Sequence, residues 1–348
     1  MKPEILGIGN PIFDVCVHVD EEILQSLHPF IPNAEWEGVY HIDDSVFEQM
    51  LLSLNTKPTD VVPGGGALNT IRVLSQLGHS TAFAGALGAV PTRFTDSTGS
   101  HAGSAGTAVS GMDFRRELRG HGIQDYTVEY PNRPCGRSLC LKNGSREILI
   151  FNPAAAVLLR DAEELPIPIE NINAEIVYIE GFLLSRHTLM EAFLALCRNG
   201  SSRLAVDLGA APIAAAQKDF LFKEVLPLTS FLFGTEEEYA ALDRSLEDLS
   251  TAATSRSCLI VKKGAAGSRV VCAEQSYETA AYPVEEVNSS GAGDAYAAFF
   301  LSHMLRGYQP AAAARVASYG SSLFLSGFGG ALATAEVKSV PEEIHTRG

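Results

Sequence analysis

The segment Val287-Asn288-Ser289-Ser290-Gly291-Ala292-Gly293-Asp294-Ala295-Tyr296 carries the most information in this chain. A tight Gly-Ala-Gly turn leads straight into a helix-forming run over residues 295–304, which brings several backbone N–H groups together at a helix N-terminus. Such amides lack partners and sit at the positive end of the helix dipole, so the turn predicts an anion site. Asp294 closes the turn. A carboxylate beside an anion cradle repels phosphate unless it serves the reaction. Taking a proton from a hydroxyl that attacks a phosphoryl group is such a service. The residues read as the site of a phosphotransferase.

Working outward, short apolar runs at 5–8, 82–87, 176–179, 204–206, 231–233 and 259–261 alternate with helical patterns at 69–77, 112–120, 187–197 and 236–242. Buried strands separated by helices predict an α/β fold, a mainly parallel sheet with helices on both faces. Ligands bind such sheets beyond the carboxyl ends of the strands. Two regions break the rhythm. Residues 13–44 and 124–151 read as short alternating strands, with Lys142-Asn143-Gly144-Ser145 as a hairpin turn. They predict a small β lid beside a large domain formed by residues 1–12, 45–123 and 152–348. Residues 91–111 are rich in Ser, Thr, Gly and Ala and predict a mobile loop.

The 348 residues are 46% hydrophobic and 19% charged, an ordinary globular composition. The net charge of −15 opposes a nucleic-acid surface, which needs clustered Lys and Arg. A polyphosphate ligand must then be held by local features. Six cysteines are scattered with no ligand-like spacing, so neither zinc nor a disulfide framework is expected. The first residues run directly into a strand-like segment, and no stretch reaches membrane-spanning length; the expectation is a cytoplasmic protein without membrane contact.

Four segments carry chemistry at expected strand ends. Pro63-Gly64-Gly65-Gly66-Ala67-Leu68-Asn69 precedes a helix. Gly64 and Gly65 let a ligand approach the backbone and Asn69 can bond a pair of hydroxyls, although an ordinary β-to-α turn fits the same residues. Gly7-Ile8-Gly9-Asn10-Pro11-Ile12-Phe13-Asp14 lacks the third glycine of a dinucleotide fingerprint. Its Asp14 stands among apolar residues, where either ribose-type hydroxyls or solvent at a strand end would satisfy it. Phe231-Leu232-Phe233-Gly234-Thr235-Glu236-Glu237-Glu238-Tyr239 places Thr235 as an N-cap and Glu238 as the partner in a capping box. A carboxylate there also suits hydrated Mg²⁺. Val261-Lys262-Lys263-Gly264-Ala265-Ala266-Gly267-Ser268 reads equally as a hairpin turn or as lysines and glycines set for a nucleotide.

In this order the segments resemble the ribokinase-like (PfkB) carbohydrate and nucleoside kinases over nearly the whole chain. The signature Gly291-Ala292-Gly293-Asp294-Ala295 and the two-glycine motif ending in Asn69 carry the likeness. Gly9-Asn10-Pro11 with Asp14, Asn152-Pro153-Ala154-Ala155-Ala156, Tyr178-Ile179-Glu180-Gly181-Phe182-Leu183 and Phe233-Gly234-Thr235-Glu236 point to the adenosine kinase-like branch.

The resemblance implies a three-layer α/β/α fold with a central, mainly parallel sheet plus a small β-sheet lid. It implies ATP-dependent phosphorylation of the 5′-hydroxymethyl group of an adenosine-like nucleoside, with Mg²⁺. Asp294 would be the general base, and the amides of Gly291, Ala292 and Gly293 the anion hole. Asp14, Gly64, Gly65 and Asn69 would hold ribose hydroxyls, with Asn10 reaching toward the base. Ser138, Leu139, Phe182 and Leu183 would wall the base pocket. Thr235, Lys263, Gly264 and Gly267 would line the ATP site, and Glu238 would organise Mg²⁺. A monomer or a homodimer is implied.

Three positions depart from the family pattern. Thr235 replaces an Asn before the helical acids, which bears on the Mg²⁺–water network. Asn288 replaces an Asp, which bears on a monovalent-cation site. The 91–111 insertion replaces a Gly-x-Asp segment and puts Thr107 and Ala108 near the place of the acid. Two rivals follow: a PfkB-type sugar kinase acting on ribose, fructose or a related sugar, and a nucleotide-binding relative without catalysis. Glu180 and Arg137 are polar enough to suit a free sugar.

Overall fold

A computed structural model of the chain describes residues 2–32, 34–36, 38–54, 58–94, 107–144, 146–254, 257–273, 275–284, 291–326 and 344. Its centre is a nine-stranded sheet. The spatial order is Gln275–Thr279, Ser268–Cys272, Cys258–Lys262, Thr229–Thr235, Arg203–Asp207, Ile176–Glu180, Ile5–Ile8, Thr81–Ala84 and Gln124–Asp125. The seven strands from Cys258–Lys262 onward run parallel, and the first two are antiparallel additions at the edge.

Alternation along these strands creates two cores. Ile5, Tyr178, Phe231, Phe233 and Ile260 face one side, against the helices Gly66–Gln76, Ala292–Leu305 and Pro310–Leu325. Leu6, Ile8, Val177, Ile179 and Leu232 face the other, against His187–Arg198 and Ala211–Phe220. A strand buried on both faces has no polar alternation to show, which is why these segments read as continuous apolar runs. The result is the expected three-layer α/β/α arrangement.

The second sheet has five strands in the order Val39–His41, Arg146–Asn152, Gly136–Asn143, Ile12–His18 and Asp60–Gly64. The expected hairpin is present: Gly136–Asn143 and Arg146–Asn152 pair antiparallel across Gly144, which takes the left-handed φ of 62° that such a turn asks of glycine. Phe13, Val15 and Val17 of one strand are buried in the core with Leu139 and Leu141 of its neighbour. Asp14 and Cys16 alternate onto the opposite face, and register sets Ser138 and Val62 on either side of Asp14.

Sheet membership differs from the sequence reading at three places. Asp60–Gly64, read with the large unit, extends the small sheet. Gln124–Asp125 and Val128–Pro134, read with the lid, pair with Thr81–Ala84 and Ala86–Val90 instead. The 91–111 segment is not a loop at its ends: Thr92–Phe94 pairs antiparallel with Thr107–Val109, and a helix begins at Gly111. Small and β-branched residues in short edge strands leave no apolar alternation to detect; residues 95–106 lie outside the described residues. Cys258 and Cys272, register partners with Cα atoms 4.3 Å apart, form a disulfide. Two isolated, buried thiols were expected there, and only the antiparallel pairing of their strands brings them together. Among the described residues no helix is long and apolar enough to cross a membrane.

Candidate active site

The helix Ala292–Leu305 starts where the sequence places its anion turn. Gly291 is its N-cap, with φ 85°, a conformation that side chains with a Cβ rarely adopt. A Cβ there would also meet the Phe324 ring at 2.9 Å. Among the described residues no side chain caps this end, and Ala295 N–H donates to Gly291 O at 2.9 Å. The amides before Ala295 are therefore directed out of the helix end, toward whatever sits in front of it. Residues 287–290, including Asn288, lie outside the described residues.

Asp294, in the first turn, meets the second glycine-rich segment. Asn69 Nδ2 donates to Asp294 Oδ2 at 3.0 Å. Arg72 reaches Asn69 Oδ1 through Nη1 at 3.4 Å and Pro63 O through Nη2 at 2.6 Å, which orients the amide. Burial pushes Asp294 up to about 7; the bond from Asn69 and the Lys262 charge oppose that rise, while Asp207 and Asp14 add to it. A carboxylate with that value is poised as a base near neutrality. It keeps part of its surface open.

Glycines in the 64–66 turn are required by close neighbours. A Cβ at Gly64 would fall 2.0 Å from Asp14 Oδ2, and one at Gly65 (φ 106°) would fall 2.4 Å from Asn10 O. Asp14 thus lies directly against the turn, its carboxyl raised to about 6 by burial against the opposing Arg72 charge. Glu180, 5% exposed at the end of Ile176–Glu180, ties the segment of Asn10 to the segment of Ala67. Its oxygens accept Asn10 N–H at 2.6 Å and Ala67 N–H at 3.1 Å. Burial raises it to about 7, and those two amides pull it back. Arg186 donates to Asn10 Oδ1.

Beside Asp294 the next strands end in charge. Glu180 is register partner to Asp207, and Thr235 to Lys262. The Thr235–Glu238 capping box is present, with Glu238 N–H donating to Thr235 Oγ1 at 3.2 Å and Thr235 N–H to Glu238 Oε2 at 2.8 Å. Burial and then Asp207 raise the Glu238 carboxyl. Among the described residues no three His, Cys, Asp or Glu side chains cluster as a metal site. One buried carboxylate with a spare oxygen fits Mg²⁺ held through its own waters.

Of the residues singled out from sequence, Asp294 and Gly291 lie against Asn69, Gly64 against Asp14, and Gly65 against Asn10, so these segments come together beside the carboxyl ends of Ile5–Ile8 and Ile176–Glu180. Leu139 does not. It is fully buried in the core, and Ser138, its neighbour in the strand, shares the face of Asp14. Leu183 is likewise core, whereas Phe182 is 39% exposed. The Lys263 ammonium turns away to Glu278 at 3.1 Å. Gly267 (φ 91°) is explained by packing, since a Cβ there would fall 1.9 Å from Thr279 O. Gly264 is exposed with φ 56°. Arg137, one of the groups that suited a free sugar, is fully buried and bound to Asn152, Asp44 and Thr92.

Sequence reasoning missed Asp207 and the pinning role of Glu180, and of the two lysines it set for a nucleotide it singled out Lys263 rather than Lys262. The available signal was a charged residue ending each apolar run: Tyr178-Ile179-Glu180, Ala205-Val206-Asp207 and Ile260-Val261-Lys262.

A model of the pfkB family carbohydrate kinases matches residues 52–336. The chain belongs to the PfkB family. As a PfkB kinase it is a phosphotransferase with an alcohol group as acceptor. Adenosine kinase 1 of Arabidopsis thaliana is 26% identical over 352 residues, covering 92% of this chain and 93% of the relative. The crystal structure of adenosine kinase from Sinorhizobium meliloti superposes with a TM-score of 0.74 at 22% identity, covering 93% of this chain and 94% of that one. A probable sugar kinase from Rhizobium etli CFN 42 also gives 0.74, at 19% identity and 93% of each chain. These structures share the ribokinase-like fold with this PfkB kinase.

Proposed function

We propose that this PfkB kinase transfers the γ-phosphoryl group of ATP to the 5′-hydroxymethyl of an adenosine-like nucleoside. The observation that carries this reading is the meeting of Asp294 with Asn69 in the first turn of a helix whose N-cap, Gly291, has no side chain. Asp294 takes the proton of the acceptor hydroxyl. The acceptor oxygen bonds to Pγ as the bond from Pγ to the β–γ bridging oxygen breaks, and ADP leaves with that electron pair. The Gly291–Gly293 amides neutralise charge on the equatorial oxygens. Asp14, Asn69 and the Gly64–Gly65 backbone hold the ribose hydroxyls. Glu238 would hold hydrated Mg²⁺, which when bound would supply positive charge to the polyphosphate.

Two observations favour a nucleoside over a free sugar. Glu180 and Arg137, the polar groups that would otherwise bond extra sugar hydroxyls, are engaged by protein partners. The adenosine kinase likeness also runs through nearly the whole chain. The equal structural likeness to a probable sugar kinase keeps that acceptor class in the test. ADP formation is measured with Mg·ATP across a panel of nucleosides, ribose and fructose. Preferential turnover of a purine nucleoside is expected; preference for a sugar overturns the acceptor assignment, and no turnover on any acceptor overturns the catalytic one.

A further inference from the structure

The strand Cys258–Lys262 ends at the anion turn in a lysine to which the mechanism above gives no part. Strand alternation sends Lys263 outward and leaves its neighbour facing the helix end. A Cβ placed on Gly293 would lie 3.3 Å from Lys262 Nζ, and 3.7 and 3.9 Å from its Cδ and Cε. The absence of a side chain at 293 thus leaves room for this lysine over the turn. Lys262 Nζ donates to Asp207 Oδ2 at 2.7 Å, the two side chains being 15% and 10% exposed. Asp207 is itself fixed, because its Oδ1 accepts Gly209 N–H at 3.1 Å.

Enclosed ion pairs are costly to assemble, and apolar residues of similar size often do as well for stability. This one has a chemical setting that accounts for it. Asp294, Asp207 and Glu238 surround the helix end with carboxylates, and each opposes an arriving phosphate. Burial disfavours the lysine's charge, but Asp207, Glu238 and Asp294 together outweigh it, so the group stays an ammonium. A cation fixed beside amides that receive a phosphoryl group is the arrangement that stabilises charge in transfer without reorganising.

We propose that Lys262 is a further catalytic residue of this kinase, its ammonium contacting a γ-phosphate oxygen above the Gly291–Gly293 turn, with Asp207 as the positioning residue that aims it. The inference rests on the kinase reading. Lys262 gives up no proton: the acceptor's proton goes to Asp294 and the leaving electron pair to ADP, while the ammonium follows the γ-oxygens from donor to product.

The test measures kcat and acceptor KM with Mg·ATP for the wild type, Lys262→Gln and the neutral pair Lys262→Met/Asp207→Asn, with folding checked by thermal melting. Gln keeps a donor for Asp207 and the double variant removes both members of the ion pair, so whichever variant folds decides the question. The expected result is a kcat lower by about 10²-fold with acceptor KM within about threefold, the scale of losing one transition-state donor. A kcat within about tenfold of wild type overturns the proposal. So does a fall in kcat accompanied by an equal rise in acceptor KM, which would mark loss of the pocket itself. If the wild type turns over no acceptor, the kinase reading fails and the lysine's role fails with it.

Discussion

Asn69 and Asp294 lie 225 positions apart in the chain and meet through a 3.0 Å hydrogen bond, amide to carboxylate. The bond joins the helix that follows the 64–66 glycine turn to the helix that follows the anion turn. It also orients the Asp294 carboxylate, the proposed base. Asp294→Ala is expected to keep acceptor binding while lowering kcat by about 10²-fold or more, the usual weight of a general base. Steady-state kinetics on the acceptor chosen by the panel measure this; a kcat within a few-fold of wild type removes Asp294 from the role.

The pH profile follows from the same carboxyl. Asp294 works only when deprotonated, and burial lifts it to about 7. The value of kcat/KM is therefore expected to rise with unit slope below about pH 7 and level off above it. Glu180 is raised into the same range, so the profile is repeated in Glu180→Gln. Persistence of the inflection assigns it to Asp294, and its disappearance assigns it to Glu180.

Stability should run the opposite way. The folded state holds the Asp294 proton more tightly than an unfolded chain, whose Asp titrates near its ordinary 3.8. The stability tied to that proton is complete below the ordinary value and is lost as pH rises toward about 7. Asp294→Asn removes the titration, so its Tm advantage over wild type should grow from pH 5 to pH 8. A difference on the order of 2 kcal/mol is expected, at about 1.4 kcal/mol per pH unit. Equal Tm differences at the two pH values would contradict the raised carboxyl.

Glu180 supplies the acceptors for two amides from different segments, Asn10 and Ala67. Glu180→Ala leaves both unpaired, at roughly 1–3 kcal/mol each. A lower Tm together with an acceptor KM raised about tenfold is expected, because the segments that hold the acceptor lose their common anchor. Thermal melts and acceptor titrations read both; a lower Tm with unchanged KM would make Glu180 purely structural.

A smaller change probes the floor of the pocket. Gly64→Ala puts a methyl 2.0 Å from Asp14 Oδ2 and must displace that carboxylate. Weaker acceptor binding with ATP affinity unchanged is the expected result, measured by separate titrations of the two substrates.

Much of this was legible before any coordinates. Ile5–Ile8 was bounded to the residue, and the Gly144 turn and the Thr235 capping box were read from local chemistry, because backbone geometry alone dictates glycine and N-cap residues. The helix start after Gly291 was legible for the same reason. Partners set by tertiary pairing were hidden. Ser138, not Leu139, shares the face of Asp14, a choice made by strand register. Lys262, not Lys263, turns toward Gly293, a choice made by which side of the sheet the helix covers. Asp60–Gly64 joins the small sheet through antiparallel pairing that its proline and glycine do not advertise.

Only Gly9, Asn10 and Pro11 separate the large-sheet strand Ile5–Ile8 from the small-sheet strand Ile12–His18, and Asn10 is gripped by both Glu180 and Arg186. One joint between the sheets is thus built around the residue proposed to reach toward the base of the acceptor. A substitution of Asn10 is therefore expected to loosen the fit of one sheet against the other along with any contact that Asn10 makes to the acceptor.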